Sequence, residues 1–310
     1  MLRFFRTILG LLLIAALFWY VWEHPRELER LTQLSFSLLA TVFGLLLAAY
    51  FCFIVSTWWL IRLDAPGIGL GEYFLVSASG LALNALAPPG SGYAVKTIYL
   101  NRRFGLKHRD FLSVNVVVGL LALSASGLLA CIALGLIQTG RSDSGPLLWG
   151  LAIAALGGSL AMLALIDKAL LIPFVRKRNI DSAHFHGLLR HKRRLATTAV
   201  LQLLRGGLSF LSFGLLFQAV SGEPILVGGV LDALSVLLRL VHLIPGNVGL
   251  YEWVVACLAD ALGSSLPAGL LTAALFRFIG LASVLLPALF GQFLLRNYSE
   301  TVEDDNRQSP

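Results

Sequence analysis

Long apolar runs dominate the chain, covering 7–22, 36–60, 111–137, 147–166, 196–220 and 268–295. Most reach roughly the 20 residues that a helix needs to cross a hydrocarbon core about 30 Å thick, so six spans are predicted. Two further apolar segments, 72–87 and 225–243, are short, and each runs into a Pro/Gly break followed by a second short segment. A segment of that kind is a full crossing or one half of a re-entrant hairpin. The run 7–22 follows Arg3 and Arg6 as a signal peptide would, but it ends in Phe18, Trp19, Tyr20 and Trp22 without a small-residue cleavage site, so an uncleaved first span is expected.

Composition agrees with this pattern. Of the 310 residues, 57% are hydrophobic and 13% charged, with a mean hydropathy of +0.80, more apolar surface than a water-soluble fold of this size can bury. The expected class is an all-α polytopic membrane protein forming a single transmembrane domain over 1–296, with a short disordered tail at 297–310. The net charge of +7 comes from 24 basic and 17 acidic side chains concentrated between apolar runs. It therefore reports orientation in the membrane, and no nucleic-acid partner is expected. Cys52, Cys131 and Cys257 all lie within apolar stretches and lack metal-ligand spacing, and neither a metal nor a cofactor is predicted.

The densest basic cluster is Lys168, Arg176, Lys177, Arg178, Arg190, Lys192, Arg193 and Arg194, which the positive-inside rule places in the cytoplasm. Counting back from it brings Lys96, Arg102, Arg103, Lys107 and Arg109 to the same side. Counting forward from a cytoplasmic N-terminus brings Arg62 there too, so 72–107 starts and finishes inside. By the same arithmetic 225–262 starts and finishes outside, and the C-terminus is cytoplasmic. Segments 36–137 and 196–295 then read as two units of span, re-entrant hairpin and span inserted in opposite senses, an inverted repeat of the kind transporters use. Eight ordinary spans with one loop breaking the charge bias is the alternative. The expected location is the cell membrane.

The first break runs from Asn84 through Pro88, Pro89, Gly90 and Gly92 to Tyr93 and Lys96. Consecutive prolines cannot continue a helix, and an interrupted helix at membrane depth needs protein, water or a polar ligand to satisfy its open backbone groups. The second runs from His242 through Pro245, Gly246 and Gly249 to Tyr251 and Glu252, with Asp232 and Arg239 before it and Arg277 in the last span. A charge near the bilayer centre costs several kcal/mol unless paired or hydrated, so these groups are expected to face one another or a wet cavity, with Glu252 and Arg277 as an ion pair. The candidate substrate-binding set is Asn84, Pro88, Gly92, Lys96, Arg239, His242, Pro245, Gly246, Gly249, Glu252 and Arg277.

These motifs resemble the transmembrane region of lysylphosphatidylglycerol synthases and its stand-alone, flippase-like relatives. The resemblance rests on Asn84 to Pro88 and Gly92 to Lys96 continuing as Tyr99-Leu100-Asn101-Arg102-Arg103-Phe104-Gly105-Leu106, on Ile244-Pro245-Gly246-Asn247-Val248-Gly249-Leu250-Tyr251-Glu252, and on Arg277. It spans roughly positions 30 to 295. Where many members carry an acidic residue and, three places later, an arginine, this chain has Tyr93 and Lys96. The resemblance implies movement of a lipid, or recognition of its headgroup, within the membrane. The soluble aminoacyltransferase domain of the synthases has no counterpart here, so lysyl transfer is not expected.

A lipid transporter recognising an anionic phospholipid or lipid-linked headgroup is thus the leading expectation, with Lys96, Arg239 and Arg277 drawing in the phosphate and no ATP-binding loop to power it. A membrane enzyme using Glu252 or His242 as acid or base is an alternative, disfavoured by the lack of a dense His/Asp/Glu cluster. An accessory subunit of envelope lipid synthesis, acting through the basic stretch 167–195 or as a homo-oligomer, is another.

Overall fold

A computed structural model describes residues 23, 29, 31–86, 90–137, 145–165, 182–237 and 249–308, with side chains described as far as 289. Among them it contains ten helices and no strand. These are α1 (Phe36–Ile61), α2 (Leu70–Leu86), α3 (Ser91–Phe104), α4 (His108–Leu136), α5 (Gly145–Leu165), α6 (Ser182–Arg190), α7 (Lys192–Ser221), α8 (Ile225–Ser235), α9 (Leu250–Ala261) and α10 (Leu266–Gln308). Five of them, α1, α4, α5, α7 and α10, are long and apolar enough to cross a membrane. They coincide with five of the six expected spans; the sixth, 7–22, lies outside the described residues. The chain is an all-α polytopic integral membrane protein.

The broken segments are shorter. α2 has 17 residues and α3 has 14, or about 25 and 21 Å of helix, each less than the hydrocarbon core. They form an antiparallel hairpin. At its open end Glu72 receives the Tyr99 hydroxyl and pairs with Arg103; at its tip Leu83 and Asn84 meet Ser91 and Gly92. Segment 72–107 therefore starts and finishes at one end of the molecule. α8 and α9 also pack against each other, across the stretch 238–248 that lies outside the described residues.

α1 and α7 are the central pair and run antiparallel: Arg194 Nη1 donates to the Trp59 carbonyl at 2.9 Å and Gln202 Nε2 to Ser56 Oγ at 2.6 Å, joining the end of α1 to the start of α7. The basic residues Arg62, Arg103 and Arg194 consequently share an end with the opening of the α2–α3 hairpin. α8 leaves from the far end of α7, after Gly222, and α10 starts at that end too, where Phe276 meets Phe213 edge-on at 4.9 Å. The two short-helix pairs thus depart from opposite ends of the molecule.

Contacts correspond between the two halves. α4 packs on α7 and α8 as α10 packs on α1 and α2. One apolar core surrounds the α2–α3 hairpin, with Tyr73, Leu100, Phe111 and Val114 fully buried, and another surrounds α8 and α9, with Val230, Val255, Phe213 and Phe217. Lipid tails are as apolar as leucine, so such cores hold by close packing, which small residues permit. A Cβ on Gly214 would stand 2.6 Å from Ile225 Cγ2, and one on Gly269 2.8 Å from Ala259 Cβ.

Two features depart from the expectations. The basic stretch 167–195 holds a helix, α6, whose Phe185 and Leu188, three positions apart on one face, enter the core around the first hairpin. And α10 continues as helix to Gln308, through the tail expected to be disordered. Extending an existing helix avoids the nucleation cost that an isolated polar peptide faces, and the stretch contains no proline before position 310.

Candidate functional site

The tip of the first hairpin is built from backbone and short polar groups. Gly90 has φ of +89°, a left-handed conformation immediately before α3. Gly249 has φ of +81° immediately before α9, at the corresponding place in the second unit. In the first tip Asn84 Oδ1 accepts the Gly92 N–H at 2.9 Å and Ser91 Oγ donates to the Leu83 carbonyl at 3.2 Å, satisfying groups that the interrupted helix leaves open. α2 and α3 approach so closely that a Cβ on Gly92 would lie 1.7 Å from the Gly80 carbonyl oxygen.

One turn along α3 is Lys96, 8% exposed. Its ammonium stands 4.3 Å from the centre of the Tyr73 ring and 5.4 Å from that of Phe111. Among the described residues it has no carboxylate partner. The neighbouring cavity, of about 30 Å³, has room for a water molecule or two and is lined by Ser77, Asn84, Gly92, Tyr93, Lys96 and Asn115 among others. Asn84 has spent its carbonyl on Gly92 and retains an NH2 donor. Asn115 donates to the Phe111 carbonyl at 2.7 Å and keeps its own carbonyl and a second N–H.

A second cation sits close by. Arg205, within the apolar run of α7, donates to Gln202 Oε1 at 3.1 Å, lies 5.1 Å from the centre of the Phe53 ring that also borders the cavity, and is within electrostatic reach of Tyr93. Gln202 is in turn tied to Ser56, whose hydroxyl donates to the Phe53 carbonyl. The surroundings of the cavity therefore combine two cations, each held against aromatic faces, with amide N–H donors, and the cations and donors are groups suited to an anion.

Glu252 and Arg277 form the second cluster and are paired as expected, Arg277 Nε to Glu252 Oε1 at 2.7 Å. The other carboxylate oxygen of Glu252 accepts the Gly249 N–H at 2.8 Å, which caps the start of α9, and the Arg277 guanidinium lies 5.2 Å from the Tyr251 ring centre. Glu252 is 3% exposed and Asp232 equally buried. With its charge committed to Glu252, Arg277 is a weaker attractor of anions than an unpaired arginine.

Of the residues predicted from sequence, the structure gathers Asn84, Gly92 and Lys96 around one cavity and Gly249, Glu252 and Arg277 into an ion-paired helix start. Pro88, Arg239, His242, Pro245 and Gly246 lie outside the described residues. Tyr73, Ser77, Asn115 and Arg205 were not predicted. Arg205 carried a signal, a lone arginine inside an apolar run; the other three look like ordinary helix residues until the fold places them beside Lys96.

A family model described as the lysylphosphatidylglycerol synthase TM region matches residues 7–288. Comparison with curated proteins and with solved structures returned no match.

Proposed function

Starting from the chain's membership of the lysylphosphatidylglycerol synthase transmembrane-region family, we propose that it is a flippase-type lipid transporter that receives an anionic phospholipid or lipid-linked headgroup at the tip of its first broken hairpin. The observation that carries this reading is Lys96. A buried ammonium without an anionic partner is costly by several kcal/mol, and aromatic faces return only about 2 kcal/mol of that. A phosphate placed beside it would supply the missing charge, with Asn84 and Asn115 offering N–H donors to its oxygens and Arg205 adding a second positive charge nearby.

The cavity at about 30 Å³ is too small for a headgroup, so its admission requires the α2–α3 hairpin to shift. The corresponding contacts of the two halves, and the departure of their short-helix pairs from opposite ends, support an inverted repeat of two re-entrant hairpins in which one unit rocks against the other. The Glu252–Arg277 pair then acts as a fixed strut of the second unit.

Lipid retained by the purified protein tests this reading. Mass spectrometry of gently solubilised wild type should find an anionic phospholipid or lipid-linked phosphate enriched over its abundance in the source membrane. Lys96→Gln should lose that enrichment while eluting as the same monodisperse species. Equal retention by both proteins would remove Lys96 from headgroup recognition.

A further inference from the structure

The outer face of α3 has no role in the cavity. Val95, Ile98, Tyr99 and Arg102 recur at the spacing of a single helical stripe, beside the face that buries Gly92, Lys96 and Leu100. With Arg103 they line a shallow groove along α3 that is open to its surroundings. Val95 is 48% and Ile98 52% exposed, so the floor is apolar and accessible.

Charge distinguishes this groove from an ordinary lipid-facing surface. At its basic end Arg103 is engaged by Glu72, which also accepts the Tyr99 hydroxyl, and that set is neutral. Arg102 is exposed and, among the described residues, has no carboxylate partner, leaving a positive charge where the apolar stripe ends. Both arginines lie in the last turn of α3, at the end of the molecule that carries Arg62, Lys107 and Arg194. An exposed apolar stripe that ends at a cation is complementary to an amphiphile with an anionic head.

We propose that this groove is a docking site for an anionic glycerophospholipid of the adjoining leaflet, with acyl chain along Val95 and Ile98 and phosphate at Arg102. The site stands apart from the Lys96 cavity and holds whether or not the chain moves lipid. A p-benzoylphenylalanine at exposed position 94, beside the groove, reports it by photo-crosslinking of the full chain in vesicles of equal phosphatidylglycerol and phosphatidylcholine. Phosphatidylglycerol adducts should exceed phosphatidylcholine adducts about fivefold, the preference that one arginine near the surface confers. Arg102→Gln should bring the ratio near unity and Arg102→Lys should preserve it, while Lys96→Gln leaves it unchanged, which separates the groove from the cavity. Equal adducts in the wild type, or an excess that survives Arg102→Gln, would overturn the proposal.

Discussion

Gly92→Ala tests how the first hairpin is held together. The new Cβ would stand 1.7 Å from the Gly80 carbonyl oxygen, 2.6 Å from its carbon and 2.9 Å from Asn84 Cγ. Ordinary C···O contacts lie near ~3.3 Å, so the two helices would have to part by about 1.5 Å. The obstacles are backbone and a short side chain engaged in a hydrogen bond, and none can swing aside. Overpacking of this kind costs about 2 kcal/mol, and loss of the Asn84–Gly92 bond adds about 1 kcal/mol. At roughly 2 °C per kcal/mol for a large domain, the midpoint of thermal unfolding in detergent should fall by about 6 °C. Gly119→Ala is the control: this exposed glycine in α4 has nothing within 4 Å, and alanine there should be neutral or stabilising by up to ~1 kcal/mol. A Gly92→Ala midpoint within a degree of the wild type would refute the packed tip.

Lys96→Met should raise thermal stability by about 1 kcal/mol or more, because it replaces a buried ammonium that has no carboxylate partner among the described residues with an apolar chain of similar length; a clear loss of stability would mean the ammonium is structurally satisfied. Arg277→Gln should destabilise by about 3 kcal/mol by stranding the buried Glu252 charge, and Glu252→Gln/Arg277→Gln together should cost much less than the sum of the single changes, as a double-mutant cycle by thermal unfolding would read. Strictly additive losses would show the pair to be uncoupled. Cysteines at Gly67 and Glu223, in a background lacking exposed Cys257, should react with impermeant maleimide from opposite faces of oriented vesicles. Labelling of both from one face would contradict the opposed insertion of the two units.

How much of this was legible in the sequence varies with the physics involved. Spans are long apolar runs, and a bilayer demands them, so α1, α4, α5, α7 and α10 fall where hydropathy places them, within a few residues. Positive loops and proline breaks pointed to a segment 72–107 that doubles back, and the start of α2 does lie beside the end of α3, where Glu72 meets Tyr99 and Arg103. Glu252 and Arg277 were recognisable as a pair because hydrocarbon tolerates neither alone. Partner choice across helices was not legible. Nothing in the apolar pattern of α2 says that Tyr73 faces Lys96, or that Glu72 reaches Arg103, since both depend on the antiparallel register fixed by the Gly80–Gly92 approach. α6 was hidden because its lysine- and arginine-rich surroundings mask two apolar anchors three residues apart.

The central claim is that Lys96 recognises an anionic headgroup during transport. Translocation of fluorescently labelled phosphatidylglycerol in reconstituted vesicles, read by loss of fluorescence to a membrane-impermeant reductant, tests it most directly. The account predicts protein-dependent translocation that Lys96→Gln abolishes in a folded, fully incorporated protein. Translocation at the wild-type rate by Lys96→Gln would contradict it.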